Sequence, residues 1–230
     1  MEISPDAWVV WRIGPLPVTA TIVFTWAVMA LLTALALALR LGLSSGPEPT
    51  RLQSWWEALV ETVERQIGEI GSSRPRRFLP FIATLFVFIL TSNVLAVVPG
   101  FVAPTGSLST TTALALLVMA AVPGFGVAER GLGGYLRAYL RPTPFMLPFN
   151  VIGEISRTVA LAIRLYGNVM SGAVIAAILL TIAPFLFPVL MQLLGLLTGV
   201  VQAYIFAVLA MVYIASATRP LDTDGKGGNP

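Results

Sequence analysis

The stretch Leu147-Pro-Phe-Asn150-Val-Ile-Gly-Glu154-Ile-Ser-Arg157-Thr-Val-Ala-Leu161-Ala-Ile-Arg164-Leu-Tyr-Gly-Asn168-Val-Met-Ser171-Gly172 sets a cation, Arg164, near the middle of an apolar segment that runs on to Pro184. A guanidinium at bilayer depth costs roughly 3 kcal/mol on insertion scales and about 10 or more in simulations of isolated helices. Glu154 is the one acid on the segment, ten residues earlier, or about 15 Å along a helix. That is too far for a direct ion pair within the helix, and no other acid follows until Asp222. The partner expected for Arg164 is therefore an acidic group on another chain, or water and a moving ion in a polar cavity.

The rest of the chain has the composition of a polytopic membrane protein. Of 230 residues, 57% are hydrophobic and 11% charged, with a mean hydropathy of +0.86, where a soluble domain carries about a quarter charged residues. Cysteine and histidine are both absent. Disulfides, thiolate sites, His-ligated metals and histidine acid–base chemistry are thereby excluded, and no metal or cofactor is expected. The net charge of +3 does not point to nucleic acid, because the basic residues fall in short links between apolar runs, where they act as topology signals. Met1 to Asp6 is acidic and contains proline, unlike the basic start of a signal peptide, so the first span is expected to stay.

Apolar runs and breaks divide one membrane domain, 1–230. The first span covers 19–43. Pro47 and Pro49 then break the chain, and 51–71 alternates Trp55, Trp56, Leu59, Val60, Val63 and Ile67 with Glu57, Glu61, Glu64, Arg65 and Glu69. Apolar residues three and four apart mark one face of an amphipathic helix lying at the interface, where tryptophans sit well. Segments 78–98 and 107–127 form a transmembrane hairpin. Leu132, Tyr135, Leu136 and Leu140, among Arg130, Arg137 and Arg141, suggest a further short interfacial helix. Two long segments follow, 147–182 and 184–218, then a polar tail, 219–230, best read as disordered. At about 52 Å each if helical, the long segments exceed a hydrocarbon core of about 30 Å, so they must tilt steeply, bend or extend beyond it.

The fold class expected is all-α, with five membrane-crossing helices, an interfacial amphipathic helix and two long, steeply tilted C-terminal helices. Basic residues give an independent check on five crossings. Arg40, Arg51, Arg65, Arg74, Arg76 and Arg77 follow the first span, Arg130, Arg137 and Arg141 occupy the third connection, and Arg219 and Lys226 the tail. Connections 99–106 and 183–187 hold none. The alternation places the N-terminus outside and the C-terminus in the cytoplasm. No internal repeat is evident, which weighs against inverted-repeat transporters.

On the first long segment, Asn150, Arg157, Arg164, Asn168 and Ser171 are spaced by seven, seven, four and three, so they share one helical face. Gly167 and Gly172 thin the helix near Arg164. Glu154 and Arg157 are placed to neutralise each other, and Arg157 either snorkels toward the cytoplasmic end or belongs to an ion path. On the last segment Gln192, Gly195, Gly199 and Gln202 form a second small and polar face, for which ordinary helix packing is the simplest account. Gln202 needs a partner, for which the facing helix offers Arg164 or Asn168. Asn93, after Thr91 and Ser92, either lines an outer aqueous pocket or bonds local backbone.

The stretch 147–172 quoted above, with Val201-Gln-Ala-Tyr-Ile-Phe206, resembles subunit a of the F-type ATP synthase. The similarity extends over nearly the whole chain. Pro104-Thr-Gly-Ser-Leu-Ser-Thr110 and Met170-Ser-Gly-Ala173 resemble the N-type subgroup in particular. The resemblance implies that Arg164 is the essential stator arginine facing the carboxylates of the rotating c ring, with Gln202 beside it. It implies two offset half-channels, steeply tilted helices and a place in the inner (plasma) membrane with the c ring, the peripheral-stalk b subunits and the remaining synthase as partners. Many members carry another acid just after the Gly-Asn motif, coupled to a histidine on the last helix. Ala173 and Gly195 fill those places here.

On this reading the chain is not catalytic alone, and couples proton or sodium movement to ring rotation. A fixed positive charge favours the ionised form of a nearby carboxylate, so an arriving ring site releases its ion at Arg164. Asn150 and Glu154 are expected to border the cytoplasmic route, and Asn168, Ser171 and Gln202 the turnover region or outer route. Ion choice is expected to reside mostly in the partner's binding site. Two rivals are a secondary transporter whose intramembrane arginine binds an anionic substrate, and a membrane scaffold in which Arg164 joins subunits.

Overall fold

A computed structural model describes residues 9–13, 16–42, 61, 65, 75–98, 100–139, 145–182 and 187–218. Five helices in it are long and apolar enough to cross a membrane. They are α1 (Ala20–Gly42), α2 (Pro75–Leu95), α3 (Leu108–Tyr139), α4 (Met146–Ile182) and α5 (Phe187–Thr218). The protein is a multi-pass, all-α membrane protein. Of the amphipathic stretch 51–71, Glu61 and Arg65 are helical and the remainder lies outside the described residues, as does the tail 219–230.

One element had no counterpart in the sequence reading. Strands β1 (Val9–Ile13) and β2 (Leu16–Thr19) pair antiparallel ahead of α1. The pairing of Ile13 with Leu16 leaves Gly14-Pro15 between the strands, a dipeptide of turn formers. The apolar content of this stretch had concealed the hairpin beside the much longer run that follows.

The helices bury short apolar faces against one another. Phe78, Ile82, Leu85 and Ile89 of α2 recur at helical spacing and pack with Ala115, Val118 and Val122 of α3, Leu161 and Leu165 of α4, and Phe206, Ala210 and Ile214 of α5. Helix α1 stands at the edge, contributing Val28 to that core and an edge-on contact of Phe24 with Phe101 at 4.8 Å. Its threonines turn inward on their own helix: Thr25 Oγ1 donates to the Thr21 carbonyl and Thr33 Oγ1 to the Met29 carbonyl, both at 2.7 Å. Such back-bonding satisfies hydroxyls where water is scarce.

Helix α2 begins at Pro75, a position where the missing N–H costs nothing. Its base is joined to α3 by Arg77 Nη1 donating to Glu129 Oε1 at 2.7 Å. The hairpin turn ends in Gly100, with φ of 87°, and a 3-10 turn, Pro104–Gly106.

The separate interfacial helix anticipated around Leu132, Tyr135 and Leu136 is a continuation of α3 beyond a break at Gly131, where φ is 72° and ψ 162°. Glycine alone adopts that conformation at little cost, so the chain bends without a loop. The bend brings Tyr135 back onto Gly126, where an added Cβ would stand 2.6 Å from the tyrosine ring. Leu140 lies outside the described residues. Helices α4 and α5 have 37 and 32 residues, about 55 and 48 Å.

Gly131 and Gly133 both have open space where a Cβ would be added, but only Gly131 has positive φ. Gly131→Ala is therefore expected to cost about 1–2 kcal/mol through backbone strain, whereas Gly133→Ala should be neutral or stabilise by up to about 1 kcal/mol. Thermal unfolding of the purified complex should give the lower midpoint for Gly131→Ala.

Candidate functional site

The side chains on α4 divide by what the helix packs against. Leu161 and Leu165 are fully buried in the bundle, and the residue between them, Arg164, is exposed at the bundle surface. Among the described residues Arg164 has no hydrogen bond or ion pair. Leu161 and Leu165 fix the rotation of the helix, and that rotation turns the guanidinium away from the rest of the chain.

Two cavities flank this position. One, of about 280 Å³, lies on the N-terminal half of α4 and is lined by Asn150, Glu154, Arg157, Arg130, Tyr135 and Tyr213, among others. The other, of about 430 Å³, lies beyond Arg164 and includes Asn93, Asn168, Ala173, Gln192, Gly195 and Thr198 in its lining. Glu154 is ten residues before Arg164 and Asn168 four after, about 15 and 6 Å along the axis. Arg164 lines neither cavity.

In the first cavity the guanidinium of Arg157 lies over the Tyr213 ring, 5.5 Å from its centroid. The three-residue spacing had suggested Glu154 as its neighbour. To this α5 adds a ring whose face attracts the cation, and Glu154 lines the same cavity. Arg130 turns its Nε into the protein interior, carried there by the last turn of α3 before the Gly131 break. Arg130, Tyr135 and Tyr213 were not recognised as cavity residues because their helix rotations depend on contacts between segments distant in sequence.

At the second cavity polar groups knit four elements together. Asn93, buried on α2, donates from Nδ2 to the Gly199 carbonyl at 2.8 Å and accepts from Thr105 Oγ1 at 2.6 Å. Asn168 donates from Nδ2 to the neighbouring Thr198 carbonyl at 3.2 Å. Two amides, from α2 and α4, thus converge on consecutive carbonyls of α5. Asn93 both lines the cavity and bonds backbone, but the backbone is 106 residues away rather than local.

Gln202, 5% exposed, lies at the inner face of α5, and its Nε2 has no hydrogen-bond partner. Neither Arg164 nor Asn168 bonds it: Arg164 faces outward and the Asn168 amide is taken by Thr198. Ser171 is exposed and its Oγ donates back to the Asn168 carbonyl at 3.2 Å. The polar stripe on α4 is therefore divided, with Asn150 and Arg157 at one cavity, Asn168 at the other, and Arg164 between them on the outside.

A family model described as ATP synthase A chain matches residues 22–215. The chain is 58% identical over 219 residues to ATP synthase subunit a 1 of Chlorobaculum parvum, covering 95% of this chain and 97% of that protein. It is 54% identical to ATP synthase subunit a of Albidiferax ferrireducens, with 95% of each covered. Against ATP synthase subunit a 1 of Prosthecochloris aestuarii it is 52% identical, covering 96% of this chain and all of that protein.

The chain belongs to the ATP synthase subunit a family. It is a membrane component of the Fo sector of an F-type ATP synthase and is not catalytic by itself. Within this subunit a, Ala173 and Gly195 both line the larger cavity.

The Gly195–Gly199 pair, read from sequence as one packing motif, serves two purposes. A Cβ on Gly195 would meet open space, while one on Gly199 would come within 2.9 Å of the Asn93 Cβ. Gly199→Ala is expected to force α2 and α5 apart and cost about 1–3 kcal/mol. Gly195→Ala should change stability by less than about 0.5 kcal/mol. Thermal melting of the two purified complexes measures the difference.

Proposed function

We propose that this subunit is the stator of ion-driven rotation, with Arg164 facing the carboxylates of a c ring and the two cavities serving as offset ion half-channels. The observation that carries this reading is the position of Arg164: exposed on the bundle surface, without a bonded partner among the described residues, and lining neither flanking cavity. A cation so placed favours the ionised form of a carboxylate brought up to it. An arriving ring site gives up its proton or sodium ion, and Arg164 keeps the two access paths apart. An ion taken up from one cavity reaches the other only when the ring turns, driven by about 2.3 kcal/mol per charge for each 100 mV.

The cavity near Glu154, with Arg130 and Arg157, opens on this reading to the cytoplasm. Basic residues concentrate at that end, in keeping with an outside N-terminus and a cytoplasmic C-terminus. The cavity near Asn168 faces outward. The membrane is the inner (plasma) membrane, and the b subunits of the peripheral stalk hold the subunit against the torque of the ring. A transporter using Arg164 to bind an anion needs that guanidinium inside a pocket of its own chain, and its exposed position speaks against this.

Arg164→Ala is expected to abolish ion-driven ATP synthesis while the complex still assembles. Synthesis is measured in reconstituted vesicles and assembly by co-purification of the ring. Retained coupled synthesis would sink the stator reading, and loss of assembly would favour the scaffold. Glu154→Gln should slow synthesis in the same vesicles while the ring still co-purifies.

A further inference from the structure

The two cavities differ in chemical character. The one near Glu154 carries a carboxylate, two guanidinium groups and two phenols. Among the described residues, the larger one has no ionisable side chain in its lining. The sequence extends this to any path within the helices that border it: residues 78–128 and 165–218 contain no Asp, Glu, His, Lys or Arg, and neither do 20–39. The tyrosines of 165–218, Tyr166, Tyr204 and Tyr213, are likewise absent from the larger cavity's lining.

The polar groups there are directed in a consistent way. Asn93 is engaged at both ends of its amide, Asn168 spends an N–H on the Thr198 carbonyl, and Thr198 Oγ1 donates to its own helix at Leu194 and Gly195. Asn168 and the exposed Gln192 bring their side-chain amides to the lining of the cavity. A Cβ on Gly172 or Gly195 would touch nothing, so the small residues leave open volume. At about 30 Å³ per water, 430 Å³ holds on the order of ten waters.

We infer that an ion approaching from the outer face reaches Arg164 through water and neutral oxygen atoms, without resting on a titratable side chain among the described residues that line the larger cavity. The inference rests on the stator reading. It assigns the larger cavity to a hydrated monovalent cation or a chain of waters carrying a proton. The carboxylate meeting Arg164 then sets both the outer-side pH dependence and the choice between proton and sodium. The cytoplasmic cavity, with Glu154, Arg130 and Arg157, has no such neutrality, so the two sides respond differently to pH.

The test uses the reconstituted holoenzyme, with ATP synthesis rate followed against pH on the side facing the larger cavity and the other side held constant. One titration step is expected, with the midpoint at which the ring carboxylate protonates. That protonation is followed on the same preparation by its rate of carbodiimide modification. Ala173→Glu, or Gly195→His should the first fail to assemble, places a titratable group in the cavity and should add a second step or move the midpoint by about one pH unit or more. A second step in the unmodified enzyme, or a midpoint away from that of the ring carboxylate, would overturn the inference. So would an assembled variant with an unchanged profile, since the cavity would then lie off the ion path. Failure of the stator reading is a different result: coupled synthesis surviving Arg164→Ala.

Discussion

A guanidinium held at the surface of an apolar helix bundle, without a bonded partner among the described residues, is the constraint on which the arrangement depends. Charge in a low-dielectric medium must be met by opposite charge or by water. At Arg164 itself the described residues supply no opposite charge, because Leu161 and Leu165 claim the inward face of α4 and turn the cation outward. On the stator reading that exposure has a use: a counter-charge can arrive on another subunit and leave again. A permanent internal partner would remove the need for it.

The same requirement shapes what lies on either side. The cavities sit before and after Arg164 along α4, so the cation interrupts what would otherwise be a continuous polar stripe from Asn150 to Ser171. Their construction differs. Near Glu154, long charged and aromatic side chains from α3, α4 and α5 share the space, with Arg157 held against Tyr213. Beyond Arg164, glycines and alanines leave room, Thr105 ties the 3-10 turn to Asn93 of α2, and Asn93 and Asn168 tie α2 and α4 to consecutive carbonyls of α5.

Several features could be read directly. Hydropathy and length identify helices that cross a membrane, because each must satisfy its own backbone in lipid, and the isolation of Arg164 from every acid is plain in the order of residues. The neutrality of 78–128 and 165–218 is also a matter of reading. Other features could not be read. The Asn93 bond to Gly199 spans 106 residues, and nothing local to Thr91-Ser92-Asn93 distinguishes it from a side chain bonding its own turn. Tyr213 as a neighbour of Arg157 depends on the rotation of α5 against α4, which spacing along α4 does not reveal. The hairpin before α1 and the bend at Gly131 were missed for a related reason: short pairings and single left-handed glycines barely disturb a hydropathy profile.

Residue order alone determined that this is a polytopic helical membrane protein, that its central cation lacks a counter-charge within reach on its own helix, and that most of its membrane segments are uncharged. These are properties of composition and of distance along a helix, and they need no knowledge of neighbours. Only tertiary structure decided that Arg164 faces outward, that Gln202 lies buried without joining it, and that the polar stripe divides between two cavities of opposite character. Those outcomes depend on how each helix is turned about its axis. That rotation is set jointly by apolar faces from separate parts of the chain, which come together only when the bundle packs.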